Sequence, residues 1–194
     1  MIKGMVVAAG SAATLAAGQV ASPSPAQAQA RGVGVKDITP TDEEYFIPDR
    51  FKGKTLLVTG CARGMGAAAA LRAAREGAAV VGVDWIEDLG RATIERIRAR
   101  GGQATFLHGD IAESAVCERM VRIAVESYGK LDMALNNAGV MDGVFSGDAP
   151  DYARQRELIF APLHEASDAY FDNVLRTNTT GMFRSLRAEL KQMV

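Results

Sequence analysis

The stretch from Lys54 through Thr55-Leu56-Leu57-Val58-Thr59 into Gly60-Cys61-Ala62-Arg63-Gly64-Met65-Gly66 constrains the fold of this chain more than any other. Its first half is a short apolar run bounded by Lys and Gly, the pattern of a buried parallel strand. Its second half holds three glycines and opens into Ala67-Ala68-Ala69-Ala70-Leu71, a helical run. A strand, a glycine turn and a helix in that order bring unpaired backbone N–H groups and the positive end of a helix dipole to one point. Such a point suits a pyrophosphate. A lone glycine fingerprint is weak, but the spacing Thr59-Gly60-x-x-x-Gly64-x-Gly66 is more particular, and later residues strengthen it.

The alternation that follows is regular. The first helix runs to about Glu76, with Gly77 as its C-terminal stop. Val80–Asp84 reads as the second strand. Glu87–Arg100 reads as the second helix, with Leu89, Ile94 and Ile97 inward and Glu87 paired to Arg91 one turn on. Ala104–His108 is the third strand. Glu113–Tyr128 is the third helix, with Val116, Met120, Val121 and Ala124 inward, and Leu131–Asn136 is the fourth strand. A long helix is predicted from about Ser167 to the end. Strands separated by helices of this length are parallel crossovers, which predicts a doubly wound α/β domain with helices on both faces of the sheet.

The flanks differ from this core. Residues 1–30 carry Lys3, then Met5-Val6-Val7-Ala8-Ala9-Gly10, and end in Ala26-Gln27-Ala28 and Ala28-Gln29-Ala30, small-x-small patterns of a signal-peptidase site. The apolar part is too short for a membrane span. Export is the expectation, with a disordered Ala-rich tail as the alternative. Residues 31–50 read as a linker or an arm lying on the domain, and residues 51–194 as the domain itself. With 194 residues the chain has room for one such domain plus a tail. A formal net charge of −1, with no basic run, argues against nucleic acid or an anionic membrane surface. Two cysteines without Cys/His spacing exclude a disulfide framework and a metal site.

Ligands of such sheets sit beyond the carboxyl ends of the strands. The second strand ends at Asp84, 24 residues after Gly60, near the spacing of a ribose-binding acid. A carboxylate there accepts from both ribose hydroxyls and repels a 2′-phosphate; the plainer alternative is a helix-capping Asp. Arg63 in the loop favours a 2′-phosphate in principle, but Trp85 stands where a second phosphate-binding Arg would be useful, so NAD is expected over NADP. Asp110 follows the third strand and is open to a simple N-cap role. Asn136-Asn137-Ala138-Gly139 ends the fourth strand with small residues that allow close backbone approach. Val140–Ala166 is long for a connection of this fold and reads as a substrate lid or a surface decoration.

Together the Thr59–Gly66 loop, Asp84, Asp110-Ile111, Asn136-Asn137-Ala138-Gly139 and Asn178 resemble the short-chain dehydrogenase/reductase family, in its shorter single-domain branch and in its order of motifs. The resemblance spans residues 51–194. It implies a Rossmann-type sheet with strand order 3-2-1-4 in the part present. Gly60, Cys61, Ala62, Arg63, Gly64, Met65 and Gly66 would hold the pyrophosphate, Asp84 with Trp85 the adenosine ribose, and Asp110 and Ile111 the adenine. Asn137, Ala138 and Gly139 would line the nicotinamide side. Asn178 resembles the active-site Asn that interrupts its helix and anchors a water in the proton relay; the plainer alternative is a local helix break.

The family continues to a strand carrying a Ser and a helix carrying Tyr-x-x-x-Lys, where the Tyr exchanges a proton with the substrate oxygen. Val194 comes before either. The tyrosines here are Tyr45, Tyr128, Tyr152 and Tyr170, and none has Lys four residues later. The expectation is therefore a C-terminally truncated member, inactive by itself, of an NAD-dependent alcohol/ketone oxidoreductase that is a homo-oligomer at full length. The alternative is a non-catalytic dinucleotide-binding or interaction module. A methyltransferase with a similar loop explains neither Asn136–Gly139 nor Asn178.

Overall fold

A computed structural model describes residues 45–140 and 162–194, all within one compact unit. Residues 1–44 and 141–161, and with them the export segment and most of the Val140–Ala166 connection, lie outside the described residues.

Four strands, β1 (Thr55–Thr59), β2 (Ala79–Asp84), β3 (Ala104–His108) and β4 (Met133–Asn136), form a parallel sheet in the order β3-β2-β1-β4. Between them run α1 (Gly64–Arg75), α2 (Glu87–Ala99) and α3 (Ser114–Tyr128). A final helical stretch comprises α4 (Asp168–Leu175), a π-helical turn over Arg176–Gly181 and α5 (Met182–Met193). Ser167 starts α4 by accepting the Tyr170 N–H on its hydroxyl at 3.2 Å.

Alternate strand residues face opposite ways, so the sheet has two cores. Leu57, Val81 and Val83 pack with Met120, Val121 and Ala124 of α3 and Ala188 of α5. Leu56, Val58 and Val80 pack with Ala70 and Ala73 of α1 and Ile94 and Ile97 of α2. The doubly wound arrangement is thus built on mostly apolar strands, buried on both sides in β1 and β2.

Two local expectations fail. Leu89 is 44% exposed; the inward stripe of α2 is Gly90, Thr93, Ile94 and Ile97. Gly90 takes the inward place because the Phe106 ring leaves no room: a Cβ there would meet Phe106 Cε2 at 2.2 Å. The fourth strand begins at Met133 rather than Leu131. Asp132 turns its carboxylate back to accept the Thr55 N–H at 2.8 Å and Lys54 Nζ at 3.1 Å, which delays the ladder.

Residues ahead of β1 lie against the C-terminal end of α1. The fully buried Glu76 accepts the Ile47 N–H at 3.0 Å and Arg72 Nε at 2.5 Å, and Arg50 Nη1 stands 3.8 Å away. Arg75 lies over the Phe46 ring, 3.9 Å from its centroid.

Candidate functional site: the glycine loop and the ends of β1, β2 and β4

The glycine loop leaves β1 through Gly60, whose φ of +73° is costly for any residue with a Cβ. The Gly60 N–H donates to the Val83 carbonyl at 2.8 Å, which ties the loop to β2. Gly66 sits so tightly under this turn that a Cβ would come within 2.0 Å of the Gly60 oxygen. The first turn of α1 contains no acidic residue, and its N-cap, Arg63, makes no side-chain bond to the helix end. The unpaired N–H groups of that turn therefore face the loop with a positive dipole and no competing carboxylate, an arrangement that fits a pyrophosphate. Met65, in the middle of this turn, is 81% exposed.

Cys61 and Ala62 are buried under the loop rather than open to a ligand. Cys61 Sγ fills the space over Gly82, where a Cβ would come within 2.7 Å of it. Burial, then the neighbouring Asp84 carboxylate, push the Cys61 thiol up to about 12, so it stays protonated and inert.

Asp84 ends β2 at 9% exposure. Its Oδ2 accepts the Ala62 N–H at 2.8 Å and its Oδ1 the Ile86 N–H at 2.9 Å. It does not cap α2, whose N-cap is Ile86. The carboxylate is aimed by the glycine loop itself, and each oxygen keeps lone pairs for further donors. His108, register partner of Asp84 on β3, holds the Trp85 carbonyl at 3.0 Å and stands 3.5 Å from Glu87.

Asp110 is not the N-cap of α3; Glu113 is. Asp110 folds its own loop by accepting the Ala112 N–H at 2.9 Å and pairs with Arg176 of the π-helical turn at 2.5 Å. Ile111 is buried against Gly181, and Arg184 donates to the Ala112 carbonyl. The loop after β3 is thus pinned from the helix that carries Asn178.

The residues after β4 converge on the same place. Thr59 Oγ1 accepts the N–H groups of Asn137 and Ala138, each at 3.1 Å, and Asn137 Nδ2 donates to the Gly60 oxygen at 3.2 Å. Gly139 faces Asn178, whose Oδ1 would lie 3.2 Å from a Cβ there. Asn178 sits in the π-helical turn, a feature frequent at functional sites. Its Oδ1 accepts the Val140 N–H at 2.8 Å and its Nδ2 donates to the Val140 carbonyl at 2.7 Å. The side-chain amide thus ties the π-helical turn to the loop after β4 through both of its polar atoms.

Sequence reading passed over three contributors: Thr59 as the brace of Asn137 and Ala138, Arg176 as the partner of Asp110, and Glu189. The last is buried on α5 and accepts Asn136 Nδ2 at 2.7 Å. A hydroxyl at the end of a central strand was the available signal for Thr59. Nothing local marks the other two, whose partners lie more than 50 positions away.

A four-stranded doubly wound sheet with an anion-accepting glycine turn at its central strand, and an acid at the end of the next, defines a Rossmann-type dinucleotide-binding domain. The family model described as short chain dehydrogenase matches residues 54–194, and the chain belongs to that family. An uncharacterized oxidoreductase of Thermotoga maritima is 34% identical over 143 residues, covering 74% of this chain and 49% of the relative. A structure of NAD+-bound xylitol dehydrogenase superposes with a TM-score of 0.64 at 30% identity, over 74% of this chain and 49% of that one. A metagenomic short-chain oxidoreductase in complex with NADP gives 0.60 at 29% identity, over 74% of this chain and 57% of that one. The chain spans about half the length of the curated relatives it matches. Among the described residues no helix is long and apolar enough to cross a membrane, and no His/Cys/Asp/Glu cluster is placed to hold a metal.

Proposed function

We propose that residues 51–194 bind NAD(H) for an oxidoreductase that interconverts a small alcohol and its ketone. The observation that carries the reading is Asp84, aimed by the Ala62 N–H from within the glycine loop and set where a ribose would lie. The cradle fits the group: Gly66, where a Cβ would strike the Gly60 oxygen, lets α1 start directly beneath the turn, and the α1 N-terminus offers donors to two phosphates. In this reading Gly60 and Arg63–Gly66 hold the pyrophosphate over the buried Cys61 and Ala62, Asp84 and the Trp85 turn hold the adenosine ribose, and Asp110 and Ile111 flank the adenine. Asn137–Gly139 wall the nicotinamide side. When bound, the nicotinamide supplies hydride chemistry.

The preference for NAD over NADP follows from charge, since a buried carboxylate at that position repels a 2′-phosphate. One relative was solved with NAD+ and another with NADP, so the fold alone leaves both open. Asn178 acts in this proposal by fixing Val140 at the edge of the site, a positioning role. No Tyr among these 194 residues is followed by Lys four positions on, so this reading assigns no proton-transfer residue within them. That same observation favours a second reading, a dinucleotide-binding module without catalysis. Fluorescence titration with NADH and NADPH, followed by an assay against secondary alcohols, separates the two: both readings require binding, and only the first gains turnover when the reading frame is extended past the codon for Val194. Tighter binding of NADPH than NADH would contradict the preference.

A further inference from the structure

Behind the loop that follows β4, the buried Glu189 carboxyl and the half-buried Asn136 amide meet through a single hydrogen bond, and each keeps a second, buried oxygen without a donor. Glu189 on α5 is 2% exposed, and Asn136 closes β4. Asn136 Nδ2 donates to Glu189 Oε2, while Glu189 Oε1 and Asn136 Oδ1 are both buried without a hydrogen-bond partner among the described residues. With the carboxylate ionised, the core would hold an uncompensated charge and two orphaned acceptors. Each orphan is an acceptor stripped of water with no donor to replace it, which is costly in a core. One proton removes the charge and supplies the missing donor.

We propose that Glu189 carries its proton in the folded domain and donates from Oε1 to Asn136 Oδ1, so that the acid and the amide close a two-bond pair that positions Asn136 and the Asn137–Gly139 backbone after it.

The surroundings agree. On its own helix, Arg184 is engaged with the Ala112 carbonyl and Arg187 lies over the Phe183 ring. In the π-helical turn, Arg176 is paired with Asp110. On α3, the titratable neighbour is the Cys117 thiol, which burial keeps protonated and which lies 3.6 Å from Ser185. On β4, the facing group is the neutral Asn136. Burial is the strongest influence on Glu189 and pushes its carboxyl above the usual range; the Asn136 amide offsets only part of this. A carboxyl raised in this way stabilises the folded state fully below the unfolded carboxylate range and loses that contribution as pH rises through its folded value.

The pair bears on function only through the dinucleotide reading, so the experiment keeps the two apart. Infrared spectroscopy of the purified protein at neutral pH should show the C=O band of a buried protonated carboxylic acid that disappears in Glu189→Gln. The Gln amide can make both bonds to Asn136 at every pH. Its melting temperature should therefore gain on the wild type as pH rises from mildly acidic to mildly alkaline. NADH affinity should fall several-fold in Glu189→Ala and return in Glu189→Gln. No acid band in the wild type, an unfolded Glu189→Gln, or a pH dependence unchanged by Glu189→Gln would each overturn the pair. If the wild type binds no dinucleotide, the cofactor reading fails while the infrared band still decides the pair.

Discussion

Asp84 and Gly66 carry the site at the scale of single residues, and both act through the backbone of the same loop. Asp84 holds the Ala62 N–H, so its carboxylate reads the position of the glycine turn before any ribose arrives. In the proposed reading, replacing it by Ser removes the charge that would repel a 2′-phosphate. We expect Asp84→Ser to narrow the NADH/NADPH preference by one or two tenfold steps, about 1.4 kcal/mol each, in paired fluorescence titrations. Both positions were legible in sequence because they depend on the order strand, glycine turn, helix, strand, acid. Leu89 was misread for a reason of the same scale. Hydropathy points a leucine inward, but the Phe106 ring already fills that space and leaves it to Gly90.

Whole elements supply what single residues cannot. The π-helical turn sets Asn178 against Val140 and Arg176 against Asp110, coupling the loops after β3 and β4 to one helix. Sequence alone marked Asn178 by resemblance, but its two hydrogen bonds with the Val140 backbone depend on a turn that no local propensity encodes. The segment before β1 is held at the end of α1 in a similar way. Burial pushes the Glu76 carboxyl up, yet the Ile47 N–H, Arg72 and Arg50 outweigh it and hold it below the usual carboxylate range. A carboxyl lowered on folding stabilises the fold above the unfolded range and loses that contribution as pH falls through its folded value. Hydrogen-exchange protection of the Ile47 amide should therefore collapse on acidification before that of the β1 and β2 amides. In Glu76→Ala it should be absent at every pH. Ile47 protection that outlasts the strands in acid would contradict the anchor.

For the molecule as a whole, β4 pairs with β1 alone, and its other side has no strand partner among the described residues. Phe171, Leu175, Phe183, Leu186 and Leu190 on the final helical stretch are exposed as well. Open edges and apolar faces of this kind favour association. The 194-residue chain made alone is expected to elute from size exclusion larger than a monomer and to reduce no NAD with secondary alcohols. A stable monomer with turnover would contradict this. We also propose export, on the composition of residues 1–30; intact mass from the native host should then show a chain beginning near Arg31, and an uncleaved cytosolic chain would count against it. The central claim is that the glycine loop is a working dinucleotide cradle, and fluorescence titration of the chain with NADH, beside Gly66→Ala, tests it most directly. The account predicts saturable binding by the wild type, weakened at least about tenfold in a folded Gly66→Ala, whose Cβ would strike the Gly60 oxygen. No binding by the wild type, or equal binding by the two, would contradict it.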